Sequence, residues 1–221
     1  MLVAATCLLP LGYVVVGSAR LGAGEAVDFL VRPRVGQLLW NTTRLLVGGV
    51  TLSVVLGVAC AWVVVRTRLP GSHLWHGVLA APLAVPAFVN GFGWVSTTHA
   101  VQSYAGAVLV VSLSYYPLVY LPTVAALRRL DSSLEDVAAS LGNRPGTTFF
   151  RVVLPSISPA VLGGALLVGL HLLGEYGALQ ILNYPTLTTG ILDQYRTSFN
   201  GPAGAGRTPP APTPAASPLG R

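Results

Sequence analysis

Glu175 is the one acidic residue inside a long apolar run of this 221-residue sequence, and His171 precedes it by four positions, on the same face of a helix. Tyr176 follows directly. A charge at membrane depth is costly and defaults to a functional hypothesis, here a gate or pathway group that a passing cation meets. The competing reading is a hydrogen bond to a neighbouring helix, or a group near the outer interface, and the sequence leaves both open. Tyr115, Tyr116, Tyr120 and Tyr176 carry oxygen donors, but aromatic residues in membranes more often pack or sit at interfaces, so no ligand cage is expected. His73, His76, His99 and His171 lie on different spans or loops with no metal-site pattern, and Cys7 and Cys60 show neither ligand spacing nor a disulfide framework. No acid–base pair or nucleophile constellation stands against them. The chain has no Lys, so it cannot supply a Gly-x-x-x-x-Gly-Lys-Ser/Thr phosphate loop. Neither catalysis, a cofactor nor a bound metal is expected of it.

A second cluster of informative residues lies between Arg128 and Pro155. Ser132 with Glu135 makes a capping box, which starts a helix at about Ser133. Leu134, Val137, Ala138 and Leu141 then fall at i, i+3, i+4 and i+7 and give one apolar face. Gly142 sits where a helix end wants a left-handed residue, and 143–146 makes a turn. A second short helix is expected from about Thr147 to Pro155. The product is a helix-turn-helix hairpin with a small apolar face and both signs of charge. An interfacial helix lying on lipid is the alternative, but the small face and mixed charge suit docking into a protein groove better.

The elements that position these residues are membrane spans. The chain is 52% hydrophobic and 9% charged, with a mean hydropathy of +0.66, whereas a soluble domain carries about 25% charged residues. Lipid is therefore its main solvent. Crossing a bilayer core takes about 20 apolar helical residues, and five runs qualify: 2–19, 45–65, 74–95, 105–127 and 159–182. The first lacks the basic flank of a cleaved signal peptide and reads as a retained helix. Pro82, Pro86, Gly91 and Gly93 make the third irregular, which only neighbouring helices or a cavity can compensate. Gly163, Gly164, Ala165 and Gly169 on the fifth would let another helix approach closely.

All 13 basic residues are Arg, and the formal charge is +6. Arg66 and Arg68 follow the second run; Arg128, Arg129, Arg144 and Arg151 lie between the fourth and fifth. If the spans alternate, both groups face one side, and the positive-inside rule makes it cytoplasmic. The hairpin and the N-terminus are then inside, and the loops near Gln102 and Tyr184 outside. Basic loops of this kind account for the charge without nucleic acid. Residues 201–221, rich in Pro, Ala and Gly, are expected to form a disordered tail.

In this hairpin the sequence resembles the permease subunits of ATP-binding-cassette importers, whose coupling loop has the pattern Glu-Ala-Ala, three residues, Gly, nine residues, Ile-x-Leu-Pro. Asp136-Val137-Ala138 stands at Glu-Ala-Ala, Gly142 at the glycine, and Val152-Val153-Leu154-Pro155 at Ile-x-Leu-Pro. The spacing matches throughout, with conservative departures at Asp136, Val137 and Val152. The resemblance implies an all-α transmembrane bundle of the type I importer kind, about five spans plus a cytoplasmic coupling hairpin. Glu135, Asp136, Val137, Ala138, Leu141, Gly142, Leu154 and Pro155 would contact an ABC ATPase subunit, whose ATP-driven closure drives alternating access. A second permease unit, a periplasmic or lipoprotein substrate-binding protein and the bacterial plasma membrane complete the implied assembly.

The resemblance covers about 41–200, with 1–40 as a first helix and periplasmic loop, and includes a coupling loop at 128–157. Asn41-Thr42, Arg66 to Gly71, Ala81 to Pro86, Gly174 to Ala178 and Thr188 to Tyr195 resemble ferric-iron-type permeases, while thiamine, sulfate and phosphonate permeases share parts of these motifs. Asp193 and Arg196 are candidates for touching the binding protein. Relatives have at least six spans, so a truncated or frame-shifted product is expected where the resemblance breaks near 200–205. A secondary transporter also uses broken helices and an intramembrane acid, but it leaves the hairpin unexplained; a membrane-embedded enzyme finds no catalytic constellation.

Overall fold

A computed structural model of the chain describes residues 33–67, 70–131, 140, 142 and 144–194. The expected first span at 2–19, most of the first half of the hairpin, and the tail lie outside the described residues.

Every regular element described is helical. Helix α1 (Pro33–Arg66) opens with Pro in its first turn, where its missing N–H costs nothing, and ends on Arg66, which complements the carbonyl end of the dipole. It begins well before the expected Leu45, because Leu38, Leu39 and Trp40 continue the helix while Thr42 and Thr43 return their hydroxyls to the Leu38 and Leu39 carbonyls at 2.8 and 2.9 Å. Helix α2 (Ser72–Ala80) runs through a 3₁₀ turn (Ala81–Ala84) into α3 (Ala87–Thr97). Helices α4 (Tyr104–Tyr115) and α5 (Pro117–Arg129) follow. A short α6 (Pro145–Thr148) leads through a π turn (Phe149–Val153) into α7 (Leu154–Gly174), and α8 (Gly177–Ile181) and a final helical stretch over 187–194 complete the described chain.

Two helices, Pro33–Arg66 and Pro145–Gly174, are each long and apolar enough to cross a membrane. Two further pairs pass the same test only as broken units. Leu74–Ala84 and Ala87–Thr97 are bent by 90°, and Tyr104–Tyr115 and Pro117–Arg129 by 45°. Both breaks fall immediately before or at a proline, Pro86 and Pro117, as helix sterics require. The expected third span is therefore a sharply folded pair rather than one kinked helix. Side chains satisfy the broken regions: Tyr116 donates its hydroxyl to the Leu79 carbonyl at 2.8 Å, and Asn90 Nδ2 donates to Ser114 Oγ at 2.9 Å.

The hairpin's second helix does not stop at Pro155 as expected; it continues unbroken to Gly174. The π turn widens the backbone just ahead of Pro155, so the missing proline N–H falls where the α-helical ladder is already interrupted. Four residues on, Pro159 cannot bond the Pro155 carbonyl, and Ser158 Oγ donates to that carbonyl at 2.7 Å instead.

Helices α1, α5 and α7 pack mutually around Val119, which is fully buried. A Cβ on Gly57 of α1 would lie 2.8 Å from Val119 Cβ, and one on Gly164 of α7 would lie 2.7 Å from Val119 Cα. Two glycines from opposite sides thus let both helices reach the α5 backbone, the close approach that small residues permit in lipid. Of the small residues expected to serve this purpose on α7, Gly164 does so; Gly163 faces open space.

Candidate functional site

Of the hairpin residues picked out by spacing, Glu135, Asp136, Val137, Ala138 and Leu141 lie outside the described residues. Gly142 is exposed with φ at +80°, a left-handed conformation, and a Cβ there would meet nothing within 4 Å. Among the described residues, its requirement for glycine is one of backbone conformation. Leu154 and Pro155 open α7: Leu154 is half-buried and Pro155 exposed, while their neighbours Val153 and Ile157 are buried against the bundle. Leu154 and Pro155 thus lie inside one continuous helical stretch, Pro145–Gly174.

The helix carrying His171 ends at Gly174, short of the expected Leu182, because Glu175 turns extended with ψ at 118°. Glu175 is not a residue within a span but the link between α7 and α8. Its Oε1 accepts the Ala178 N–H at 2.9 Å, capping the first turn of α8, and its Oε2 accepts the hydroxyl of Tyr115 at the end of α4. Tyr115 also lies against the His171 ring, with centroids 5.3 Å apart. His171 Nδ1 stands 3.2 Å from the Leu167 carbonyl of its own helix. Tyr115, Leu170, His171, Gly174 and Glu175 line a shallow open recess. Tyr176 is half-buried beside it. The structure therefore brings Glu175, His171 and Tyr115 together. Sequence reasoning named Tyr115 only as a possible oxygen donor, and a 60-residue separation gives no signal of its pairing with Glu175.

Helix α8 packs on α3: a Cβ on Gly91 would lie 3.7 Å from the Ala178 backbone, and one on Gly177 would lie 3.1 Å from Phe88 Cβ. The folded pair α2–α3 and the Glu175 link consequently share one contact surface.

Two of the sequence motifs meet in space. Asn41 Nδ2 donates to the Pro185 carbonyl at 3.0 Å, Tyr184 donates to the Asn41 carbonyl at 3.3 Å, and the Leu187 N–H reaches Thr42 Oγ1 at 2.9 Å. Asn41-Thr42 is thus a docking point for the 184–187 loop, and Thr188 Oγ1 fastens that loop to the Leu173 carbonyl at 2.6 Å. Asp193 is half-buried on the 187–194 stretch, and Arg196 lies outside the described residues.

A third cluster escaped the sequence entirely. His76 on α2 sits between Tyr120 and Arg128 of α5, its Nδ1 2.6 Å from the Tyr120 hydroxyl and its Nε2 bonded to the Arg128 guanidinium. A guanidinium only donates, so Nε2 is the acceptor and Nδ1 carries the proton of a neutral ring.

Long apolar helices and folded pairs broken at prolines define a polytopic α-helical membrane protein. The chain belongs to the family of binding-protein-dependent transport system inner membrane components, the permeases of ATP-binding-cassette importers, whose model matches residues 53–205. It is 42% identical over 197 residues to the Fe(3+)-transport system permease protein FbpB 2 of Haemophilus influenzae, an alignment covering 89% of this chain and 39% of that protein. The sulfate transport system permease protein CysW of Escherichia coli is 30% identical over 200 residues, covering 83% of this chain and 68% of that one. The molybdenum transport system permease protein ModB of Escherichia coli is 31% identical over 174 residues, covering 70% and 76%. The chain spans about two fifths of the length of the ferric relative.

Proposed function

We propose that this chain is a membrane-spanning permease unit of an importer for ferric iron in a bacterial plasma membrane. A partner ATPase supplies the driving force, a binding protein outside delivers the cargo, and a second permease unit completes the pathway. The observation that carries the cargo assignment is the 42% identity to a ferric-transport permease over 89% of the chain, against 30–31% for the sulfate and molybdenum permeases.

Coupling is assigned to the hairpin. Asp136, Val137, Ala138, Leu141 and Gly142, with Glu135 at the start, form the part that enters a groove on the ATPase. Leu154 and Pro155 sit where this arm joins α7. The continuity of Pro145–Gly174 supports this role, because a push on the hairpin is carried along α7 to the Glu175 link without an intervening hinge loop. The arginines at 128, 129, 144 and 151 support a cytoplasmic hairpin. Glu175, His171 and Tyr176 are assigned to the translocation pathway on the outer side.

Reconstituted uptake tests both parts. Vesicles containing the chain, its ATPase and its binding protein take up radiolabelled ferric iron on ATP addition, and Asp136→Arg abolishes that uptake while Gly163→Ala, where a Cβ meets nothing within 4 Å, does not. Uptake of sulfate or molybdate instead of iron overturns the cargo assignment; undiminished iron uptake by Asp136→Arg overturns the coupling assignment.

A further inference from the structure

Two serines meet one carbonyl between α1 and α4. Ser112 of α4, wholly buried, donates its hydroxyl across the interface to the Gly49 carbonyl of α1 at 3.1 Å. Gly49 permits that approach: a Cβ on it would stand 3.5 Å from Val111 Cγ2 of α4 and 2.8 Å from Leu172 Cδ1 of α7. One turn along α1 lies Ser53, also wholly buried, and its hydroxyl has no hydrogen-bond partner among the described residues. Gly49, Ser53 and Gly57 recur every four residues on the buried face of α1, a seam of small residues on which no bulky side chain of α1 interlocks with its neighbours.

Other buried hydroxyls show what Ser53 lacks. Ser114 and Thr123 donate to the carbonyls four residues back on their own helices, Val110 at 2.9 Å and Val119 at 2.7 Å. The carbonyl four residues behind Ser53 is that of Gly49. A carbonyl oxygen has two lone pairs. In the α-helical ladder one accepts the Ser53 N–H, and the hydroxyl of Ser112 takes the other. Ser53 is therefore shut out by Ser112, and a buried hydroxyl left unbonded is costly.

We propose that Ser53 and Ser112 contend for the Gly49 carbonyl, and that this contest makes the contact of α4 with α1 reversible during the transport cycle. With the helices in contact, Ser112 holds the carbonyl and Ser53 is unpaired. When α4 draws back beyond hydrogen-bond reach, Ser53 takes the vacated lone pair, and Ser112 turns to the Val108 carbonyl four residues behind it on α4. Separation leaves both hydroxyls bonded, whereas contact bonds only one; the packing of Val111 against Gly49 favours contact. These opposed contributions hold the two arrangements close in free energy, so that a modest input selects between them. The link to transport rests on the permease reading; the contest itself rests on two hydroxyls and one acceptor.

The test uses the full chain with its ATPase and binding protein in vesicles, with Cys7 and Cys60 replaced by alanine. Spin labels go on Val47→Cys of α1 and Leu109→Cys of α4, both exposed positions, with unlabelled copies in excess so that each distance lies within one chain. Electron–electron double resonance is expected to read a shorter and a longer α1–α4 distance, in proportions that ATP changes. Ser53→Ala and Ser112→Ala each end the contest, so each shifts the populations on the order of tenfold toward the shorter distance and lowers iron uptake. The double variant shifts them no further. In detergent, Ser53→Ala melts at or above wild type, and Ser112→Ala melts near it because Ser53 inherits the carbonyl. Ser112→Ala moving to the longer distance, or melting several degrees lower, shows an ordinary interhelical bond and overturns the proposal. Ser53→Ala melting clearly below wild type does so too, since its hydroxyl then already has a partner, a bound water included. A single distance unmoved by ATP also overturns it. Both distances with the predicted shifts, but no ATP-driven iron uptake by wild type, reject the permease reading and leave the contest standing.

Discussion

Tyr115 and Glu175 are joined by a hydrogen bond between the end of α4 and the link from α7 to α8, and the same carboxylate caps α8 through the Ala178 N–H. One side chain therefore ties three elements together at the outer end proposed for the pathway. Glu175→Gln keeps an oxygen for the Ala178 N–H but removes the charge that a passing cation would meet. It is expected to lower iron uptake about tenfold or more, equivalent to about 1.4 kcal/mol in the barrier, while the complex still purifies whole. Uptake at the wild-type rate in reconstituted vesicles removes Glu175 from the pathway.

Tyr115→Phe isolates the structural half of that arrangement. It leaves the carboxylate and the cap in place and deletes one hydrogen bond to a charged group, a loss of about 1.5–3 kcal/mol in a part-buried setting. Thermal unfolding in detergent is expected to drop by several degrees, on the order of 5 °C. If both variants lose uptake only in proportion to their loss of stability, Glu175 is a packing residue and the cation reading falls.

Adjacent glycines of α7 make a paired test of the helix packing. Gly164→Ala drives a methyl to 2.7 Å from Val119 Cα and 2.8 Å from the Leu118 carbonyl, both backbone atoms that cannot step aside. It is expected to destabilise the bundle by about 1–3 kcal/mol. Gly163→Ala meets nothing within 4 Å and gains helix propensity, so its stability should stay level or rise slightly. Equal melting temperatures for the two variants in the same detergent would contradict the α5–α7 contact described here.

Much of this was legible in the sequence, for reasons that can be located. The two long spans follow from apolar length, and the irregularity of the third run from Pro82 and Pro86, though not its 90° fold. Gly142 was expected to be left-handed from its place after an amphipathic stretch, and its φ is +80°. What escaped was non-local or a matter of local competition. Pro155 reads as a helix end because a proline lacks its N–H, yet the π turn before it and the Ser158 hydroxyl after it satisfy the backbone, so the helix runs on. Glu175 reads as a mid-span acid because apolar residues continue to Leu182, whereas Gly174 lets the helix stop and the carboxylate cap the next one. The pairing of Glu175 with Tyr115, and of His76 with Tyr120 and Arg128, depends on tertiary packing that no single-sequence pattern encodes.

The His76 cluster gives a prediction of its own. Arg128 can only donate, so His76 must accept at Nε2 and present its Nδ1 proton to Tyr120. A double-mutant cycle on His76→Ala and Arg128→Ala should give a coupling of about 0.5–1 kcal/mol, modest because the Arg128 end of the contact is exposed. His76→Phe preserves the ring but offers no acceptor, and it should lose as much as His76→Ala does. Strict additivity of the two alanine changes in thermal unfolding would show that the pair is not joined in the membrane-embedded protein.

Gly142 offers the sharpest test of the coupling hairpin, because among the described residues nothing crowds it and its left-handed φ is the constraint. Alanine at φ near +80° costs about 1–2 kcal/mol of local conformation with no clash to confuse the result. Asparagine visits the left-handed region more readily and should recover part of that loss. Copurification with the ATPase is therefore expected to fall about five- to thirtyfold for Gly142→Ala and clearly less for Gly142→Asn. That ordering distinguishes a requirement for the turn from a requirement for bare space, since asparagine is the larger residue. If alanine and asparagine are equally harmful, the left-handed turn is not what the ATPase contact needs. If neither variant alters association or ATP-dependent uptake, the hairpin does not carry the coupling.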